Sequence, residues 1–549
     1  TVKRKIMEIF RALEFEKKYS KEDILEAYLN YIYLGQGCNG VYTASYTYFG
    51  KHVSELSLAE CASLIGITNN PSKYDPLGTL EVKDEETGEV KTSRDFNKER
   101  QETILNAMLE QKYITQEEYD AAVAEELVFN EDGQNEGEVQ TNSTIYSWYE
   151  DQVINDVIED LMETYNWSEQ YAKDKVFSGG LEIYSCMKPE VQAAVDKVYQ
   201  DQNNLNVTSS SGQKLQSAIT IVDNETGEVA MAGGMGEKTA SRSLNRATSS
   251  KRPPGSSIKP LAVYAPAIEL GKVTPATMVE DSPYGKVDGR DWPVNATGVY
   301  QGNVSVAKAV QESINTVAVK VLDMVGTETS FNFMQDKFHI KLIKGGTTYT
   351  DIGLAQLALG GLTEGVSTYE MAAAYSVFPR QGTYVEPKTY TMVIDNNKQV
   401  LLRNESEPEK DVLSQRTTYY MTEMLQRVVT GGSGATGKAA NFTGQDIAGK
   451  TGTTTSRKDL WFVGYTPYYT AAVWTGYDRQ ERLSSHLGNP STTLWRQVMS
   501  EVHKTLPYKE FAQPDASSLK TVTYCLSSGM LPGPACGGHL ATGTFFAED

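Results

Sequence analysis

RPPGSSIKP, residues 252–260, places two adjacent serines between a stiff Pro-Pro-Gly segment and a lysine. Pro254-Gly255 closes an extended segment. The run SSIKPLAVYAPAIELG that follows carries apolar residues at Ile258, Leu261, Ala262 and Ala265, the spacing of a helix. Ser256 then falls in the first turn, with Lys259 one turn on. Side chains at i and i+3 share a helix face and those at i and i+2 do not, so Ser256 can meet the Lys259 amine and Ser257 cannot. A nucleophilic serine needs a base, and the five histidines, His52, His339, His486, His503 and His539, form no readable Ser-His-Asp arrangement. A lysine has to serve. Free lysine titrates near ~10.4, so work as a base near neutral pH requires about 4 kcal/mol of environmental bias. Burial, a helix N-terminus and a second cation each supply part of it.

The spacing SxxK is weak by itself, because Ser211-xx-Lys214 and Ser517-xx-Lys520 share it. Alone, RPPGSSIKP reads as a structural helix cap. A second cation is available at Lys450 in IAGKTGTTTSRKDLWFVGY. On a strand beside the serine, Lys450 and Thr451 can hold a substrate carboxylate, Gly452 lets a ligand approach the backbone, and the next N–H, that of Thr453, faces a reacting carbonyl. Between the two segments, the helical run VAKAVQESINTVAVKVL offers Ser313 for proton transfer and Asn315 to orient substrate and lysine. SxN also recurs, at Ser243 and Ser330, so order and context carry the argument.

SxxK, then SxN, then KTG is the signature of the penicillin-interacting serine enzymes. The surroundings, NRAT...RPPGSSIKP, YGKVDGRDWPVNATGVYQGNVSVAKAVQESINTVAV, LALGGLTEGVSTYEMAAAYSVF and GKTGTTTSRKDLWFVGYTP, resemble the transpeptidase domain of class A penicillin-binding proteins over roughly residues 180–499. The resemblance implies an acyl-forming Ser256, a general base Lys259, a proton-relay pair Ser313 and Asn315, and a carboxylate-binding strand of Lys450, Thr451, Gly452 and Thr453. The Ser256 and Thr453 N–H groups would form the oxyanion hole, and Trp292 would line the substrate cleft, although a ring in such a place is more often core or rim packing. Residues RKIME, KEDILEAYLN, GQGCNGVYTASYTYFGK and LSLAECASLIGITNNPSKYDP resemble the peptidoglycan glycosyltransferase domain of the same proteins, over about residues 1–127. That likeness makes Arg4, Lys5, Glu8, Lys21, Glu26, Tyr28 and Asn30 groove residues for polymer pyrophosphate and sugars. It also sets the family's catalytic glutamate and membrane helix upstream of Thr1, so polymerisation is not expected of this stretch.

The expected fold is multidomain. A helical, lysozyme-like glycosyltransferase remnant occupies 1–127, a linker region 128–212, and an α+β serine transpeptidase domain of the penicillin-binding and β-lactamase type, with an antiparallel sheet, 213–506. A C-terminal extension, taken as truncated, covers 507–549. Two hairpins are legible: QSAITIVDNETGEVAMAGG around Asp223–Gly227, and LWFVGY with YTAAVWTGY around Thr466–Tyr468, with mainly helix between them. Helices are expected through ERQETILNAMLEQ, after the Thr115 TQEE box, over 144–164 and over 189–200. A net charge of −20 spread along 549 residues argues against nucleic acid as a partner. Five cysteines without a CxxC pair support no metal knuckle, and Cys525 and Cys536 flank a turn that a disulfide would close.

The resemblance further implies partners: stem peptides ending in D-Ala-D-Ala, lipid II and glycan strands, β-lactams, and the membrane through an upstream helix. It implies action at the extracytoplasmic face of the bacterial cell membrane. No cofactor or metal is expected for transpeptidation, and a complete glycosyltransferase leaves room for a divalent metal. Two alternatives stand beside this reading. A serine β-lactamase or D,D-carboxypeptidase shares the three motifs. A nucleotide-binding loop is the other, since Gly444 to Thr451 fits GxxxxGK[ST], although AANFT before it and β-prone residues after it suit that poorly.

Overall fold

Period-two alternation builds the sheet that positions the serine segment. The computed structural model describes residues 12–13, 16–17, 20–36, 38–83, 90–130, 145–227, 229–346, 349–405 and 407–549, and the chain forms two units. The second unit comprises 147–152, 185–389 and 404–549. Its sheet contains β1 (Gln216–Asp223), β2 (Val229–Ala232), β3 (Ala448–Thr453), β4 (Asp459–Tyr465) and β5 (Tyr469–Gly476), in the order β3-β4-β5-β1-β2. Every neighbouring pair is antiparallel, and both expected hairpins are present. Because successive side chains alternate faces, Ile219, Ile221, Leu460, Phe462, Ala471 and Val473 share one core. Helices α1 (Pro189–Tyr199) and α6 (Pro490–Val502) cover it with Val191, Val195, Trp495 and Val498. Full burial of each such aliphatic or aromatic side chain contributes about 1.5–3 kcal/mol. Trp495 also keeps its indole N–H satisfied on the Ala471 carbonyl at 3.1 Å.

The opposite face meets α4 (Thr368–Ser376), where the Thr220 and Thr368 hydroxyls lie 2.9 Å apart. Helices α2 (Val306–Glu312), α3 (Asn315–Val325) and α5 (Gln415–Thr430) complete this side, with α5 packed along β3. Short antiparallel pairs, Met278–Asp281 with Gly302–Ser305 and Gly285–Val287 with Arg290–Trp292, interrupt a region expected to be mainly helical. Three- and four-residue strands leave too little alternation to be read. The C-terminal stretch contains the hairpin Leu519–Cys525 with Leu540–Phe546, and Cys525 and Cys536 are free thiols.

The first unit comprises 1–146, 153–184 and 390–403. Its helices include Lys21–Tyr31, Val41–Phe49, Leu58–Ile67, Ser93–Glu110 and Gln116–Ala124. Reciprocal capping boxes start three of them: Ser57 with Glu60, Thr92 with Asp95, and Thr115 with Glu118, the last being the expected TQEE box. The interval expected to be a linker holds Trp148–Tyr165 and an unexpected helix, Glu169–Ser178, as well as α1. Strands Tyr390–Ile394 and Val400–Arg403 join Glu182–Ser185 in a three-stranded sheet, so residues 390–403 belong to the first unit and not to a continuous 213–506 domain. Among the described residues no helix is long and apolar enough to cross a membrane.

Candidate active site

Gly255–Ile258 is a 3-10 turn rather than the first turn of an α-helix, and it runs into a π turn at Pro260–Tyr264 and a short α-helix at Ala265–Glu269. Proline explains the switch. Pro260 has no N–H to donate back to Ser256, so the Lys259 N–H closes the shorter ring on the Ser256 carbonyl. One turn still separates Ser256 from Lys259. The two serines differ as the spacing predicts: Ser257 is fully buried, with its hydroxyl donating to the Pro254 carbonyl at 2.7 Å, whereas Ser256 is partly exposed. No hydrogen bond among the described residues occupies the Ser256 hydroxyl, including the direct one to Lys259 that the spacing allows.

Lys259 is 0% exposed and its amine donates to the Ser313 carbonyl at 2.9 Å and to Asn315 Oδ1 at 2.7 Å. Ser313 Oγ and the Ile314 carbonyl lie at 3.5 Å. Lys450, also 0% exposed on β3, donates to Ser313 Oγ at 2.8 Å and to the Thr451 carbonyl at 3.0 Å. SxxK, SxN and KTG therefore meet at one hydroxyl. Among the described residues no carboxylate hydrogen-bonds Lys259, Ser313 or Lys450. Burying an unpaired ammonium is costly, so such groups shed their protons. Burial, and then the neighbouring Lys450 charge, push the Lys259 amine well below its ordinary value, and burial lowers Lys450 to about 7. A neutral Lys259 has two N–H groups for its two close acceptors, which leaves its lone pair for a serine proton.

Ser313 reaches this position in the left-handed region, at φ 59°, where it ends α2. That conformation costs a non-glycine residue about 1–2 kcal/mol and turns the chain so that Ser313 and Asn315 both face the lysines. Gly452 has a packing reason to be glycine, since a Cβ there would lie 2.3 Å from the Pro254 carbonyl oxygen and 2.9 Å from Ser257 Oγ. The serine turn thus rests directly on the edge strand. Gly255, at φ 54°, lies equally close to the backbone of Thr453. Thr451 Oγ1 donates to Thr436 Oγ1 at 3.0 Å.

Trp292 packs edge-on against Tyr284, with centroids 6.3 Å apart, and makes no hydrogen bond to the lysine cluster. The residues missed in the sequence are Val294 and Asn295. The Val294 carbonyl accepts from Asn315 Nδ2 at 2.8 Å, and Asn295 Oδ1 accepts from the Asn315 N–H at 3.0 Å. Only their place in WPVN, just upstream of SxN, hinted at them. The P-loop reading fails on structure: Gly444–Thr451 ends inside a strand, β4 follows where a helix is required, and Lys450 points into the serine site. In the first unit, Glu26 and Asn30 line a cavity with Tyr31, Trp167 and Tyr171, while Lys21 and Tyr28 of the same helix do not. Arg4, Lys5 and Glu8 lie outside the described residues. Among the described residues no group of three or more His, Cys, Asp or Glu could hold a metal ion.

Known proteins match this arrangement. A family model described as the penicillin binding protein transpeptidase domain matches residues 217–491, and one described as transglycosylase matches residues 1–109. Penicillin-binding protein 1A of Clostridium botulinum (strain Hall) is 37% identical over 97% of this chain, which spans 63% of that relative's length. Penicillin-binding protein 1A of Clostridium tetani is 33% identical, with 97% and 68% covered. The fold is shared with the crystal structure of penicillin-binding protein 1A from Haemophilus influenzae: TM-score 0.67, 22% identity, covering 96% of this chain and 92% of that one. It is also shared with PonA1 of Mycobacterium tuberculosis in complex with penicillin V: TM-score 0.56, 23% identity, 66% and 96%.

Proposed function

This chain belongs to the class A penicillin-binding proteins, and we propose that it cross-links peptidoglycan stem peptides through an acyl-enzyme at Ser256. The observation that carries the reading is the convergence of two buried, carboxylate-free lysines on Ser313 Oγ. Lys450 and Thr451 hold the terminal carboxylate of a D-Ala-D-Ala peptide. Ser256 Oγ attacks the penultimate carbonyl as Lys259 takes its proton. The N–H groups of Ser256 and Thr453 donate to the developing oxyanion, a kind of stabilisation whose loss costs about 2.7–4 kcal/mol per donor. The C–N bond breaks, the leaving D-Ala amine takes the Lys259 proton through Ser313, and an acceptor amine then resolves the ester. In the whole protein a complete glycosyltransferase domain would supply the strands from lipid II at the extracytoplasmic face of the membrane, with Glu26 and Asn30 lining its groove. β-Lactams, such as the penicillin V held by the mycobacterial relative, acylate the same serine.

Among the described residues no carboxylate hydrogen-bonds the lysine cluster to serve as a base for water at the ester, which supports an adduct that outlives a β-lactamase intermediate. The test supplies the purified chain with a D-Ala-D-Ala peptide and an amine acceptor. Transfer product with release of D-Ala, lost in Ser256→Ala, is expected. Sustained turnover of a chromogenic cephalosporin, lost in the same variant, would make the protein a β-lactamase instead.

A further inference from the structure

We propose that Asn295 and Asp281 are positioning residues for acylation, setting the Asn315 amide that orients Lys259; the inference rests on the acyl-enzyme reading above. Helix α3 starts at Asn315, yet its own N-cap, Ile314, supplies no side-chain bond to the exposed N–H groups. Asn295 supplies it from another segment. Its Oδ1 accepts from the N–H groups of Asn315 at 3.0 Å and Thr316 at 3.4 Å. Its Nδ2 donates to Asp281 Oδ1 at 2.7 Å and to the Val299 carbonyl at 3.0 Å. With acceptors on the Nδ2 side, the Asn295 amide has one workable orientation. Asp281, 1% exposed, is held in turn by the Thr316 hydroxyl and by the Gln301 N–H at 2.8 Å. Its carboxylate therefore sits at the N-terminal end of α3, where the helix dipole favours negative charge.

The consequence reaches the reacting amine. Val294 fixes the side-chain amide of Asn315 and Asn295 fixes its backbone, so two consecutive residues determine where Asn315 Oδ1 points. Oδ1 is the closest acceptor of Lys259, at 2.7 Å. A rotated or withdrawn Asn315 would turn N–H groups toward the amine, or leave it one acceptor short and redirect the lone pair from Ser256. Neither Asn295 nor Asp281 bonds Lys450 or Thr451, so the carboxylate grip stays intact when they change.

The experiment measures acylation of the full 549-residue chain by a fluorescent penicillin across concentrations, separating the limiting rate from the half-saturating concentration. Asn295→Ala is expected to lower the limiting rate by roughly tenfold or more, about 1.4 kcal/mol, with half-saturation unchanged. Asn295→Asp alone sets two carboxylates against each other and is expected to lose rate. Pairing it with Asp281→Asn restores one donor and one acceptor across the contact and should recover much of it. Where Asn295→Ala lacks a cooperative melt, the comparison of Asn295→Asp with the exchanged pair decides, and equal loss in both overturns the proposal. So does an unchanged limiting rate in folded Asn295→Ala. Failure of wild-type protein to label at Ser256 would strike the acyl-enzyme reading itself.

Discussion

Two adjacent serines in RPPGSSIKP have opposite fates: the Ser257 hydroxyl is buried on the Pro254 carbonyl, and Ser256 is partly exposed with no hydrogen bond on its hydroxyl among the described residues. That distinction was expected from the spacing, whereas the roles of Lys259 and Lys450 rested on the order of the three motifs and on the family resemblance they carry. The left-handed Ser313 and the Asn295 cap were not legible, because both depend on segments brought together only by the fold. The electrostatics of the two lysines yield a pH prediction. Lys259 serves as a base only when neutral, and after burial the largest influence lowering its proton affinity is the Lys450 charge. Removing that charge lets Lys259 keep its proton to higher pH. Lys450→Met should therefore move the acid limb of the acylation profile upward, whatever it does to the plateau. An unmoved or lowered limb would show that the two amines do not communicate.

The contact between the serine turn and the edge strand β3 decides whether nucleophile and carboxylate site stay in register. Glycine is required where they touch. At Gly255 a Cβ would sit 2.5 Å from the Thr453 carbonyl oxygen and 2.7 Å from its carbon, backbone atoms that cannot rotate away. Gly255→Ala should slow acylation by roughly tenfold or more, since 1.4 kcal/mol of misplacement suffices. Gly212→Ala is the control, with φ 84° and nothing within 4 Å, and should keep the wild-type rate. Equal slowing in both would assign the effect to backbone strain, and a wild-type rate in Gly255→Ala would show that the contact does not set the register. The strands of this sheet were readable because their alternation is long and punctuated by Asp223–Gly227 and Thr466–Tyr468. The sheet joining Glu182–Ser185 to Tyr390–Arg403 was not, since its partners lie on opposite sides of the entire serine segment and no local pattern links them. Likewise, GxxxxGK[ST] is a true pattern match whose meaning is cancelled by the strand it lies on.

Over the whole molecule, two units with separate cores carry the two halves of the family resemblance. Legibility differed between them. In the second unit three short motifs, in order, converge on one hydroxyl, and the fold only had to supply the distances. In the first unit the described candidate groove residues, Lys21, Glu26, Tyr28 and Asn30, are ordinary helix residues, of which Glu26 and Asn30 line a common cavity. Everything in the second unit turns on the proposal that Ser256 is the acyl-forming residue of a long-lived acyl-enzyme. It is tested most directly by intact-mass and peptide mass spectrometry after incubation with a penicillin. One adduct of the full penicillin mass is expected on the peptide containing Gly255-Ser256-Ser257, persisting for many minutes at neutral pH, absent in Ser256→Ala and kept at least in part in Ser257→Ala. Label on any other peptide, or an adduct that survives Ser256→Ala, would contradict it.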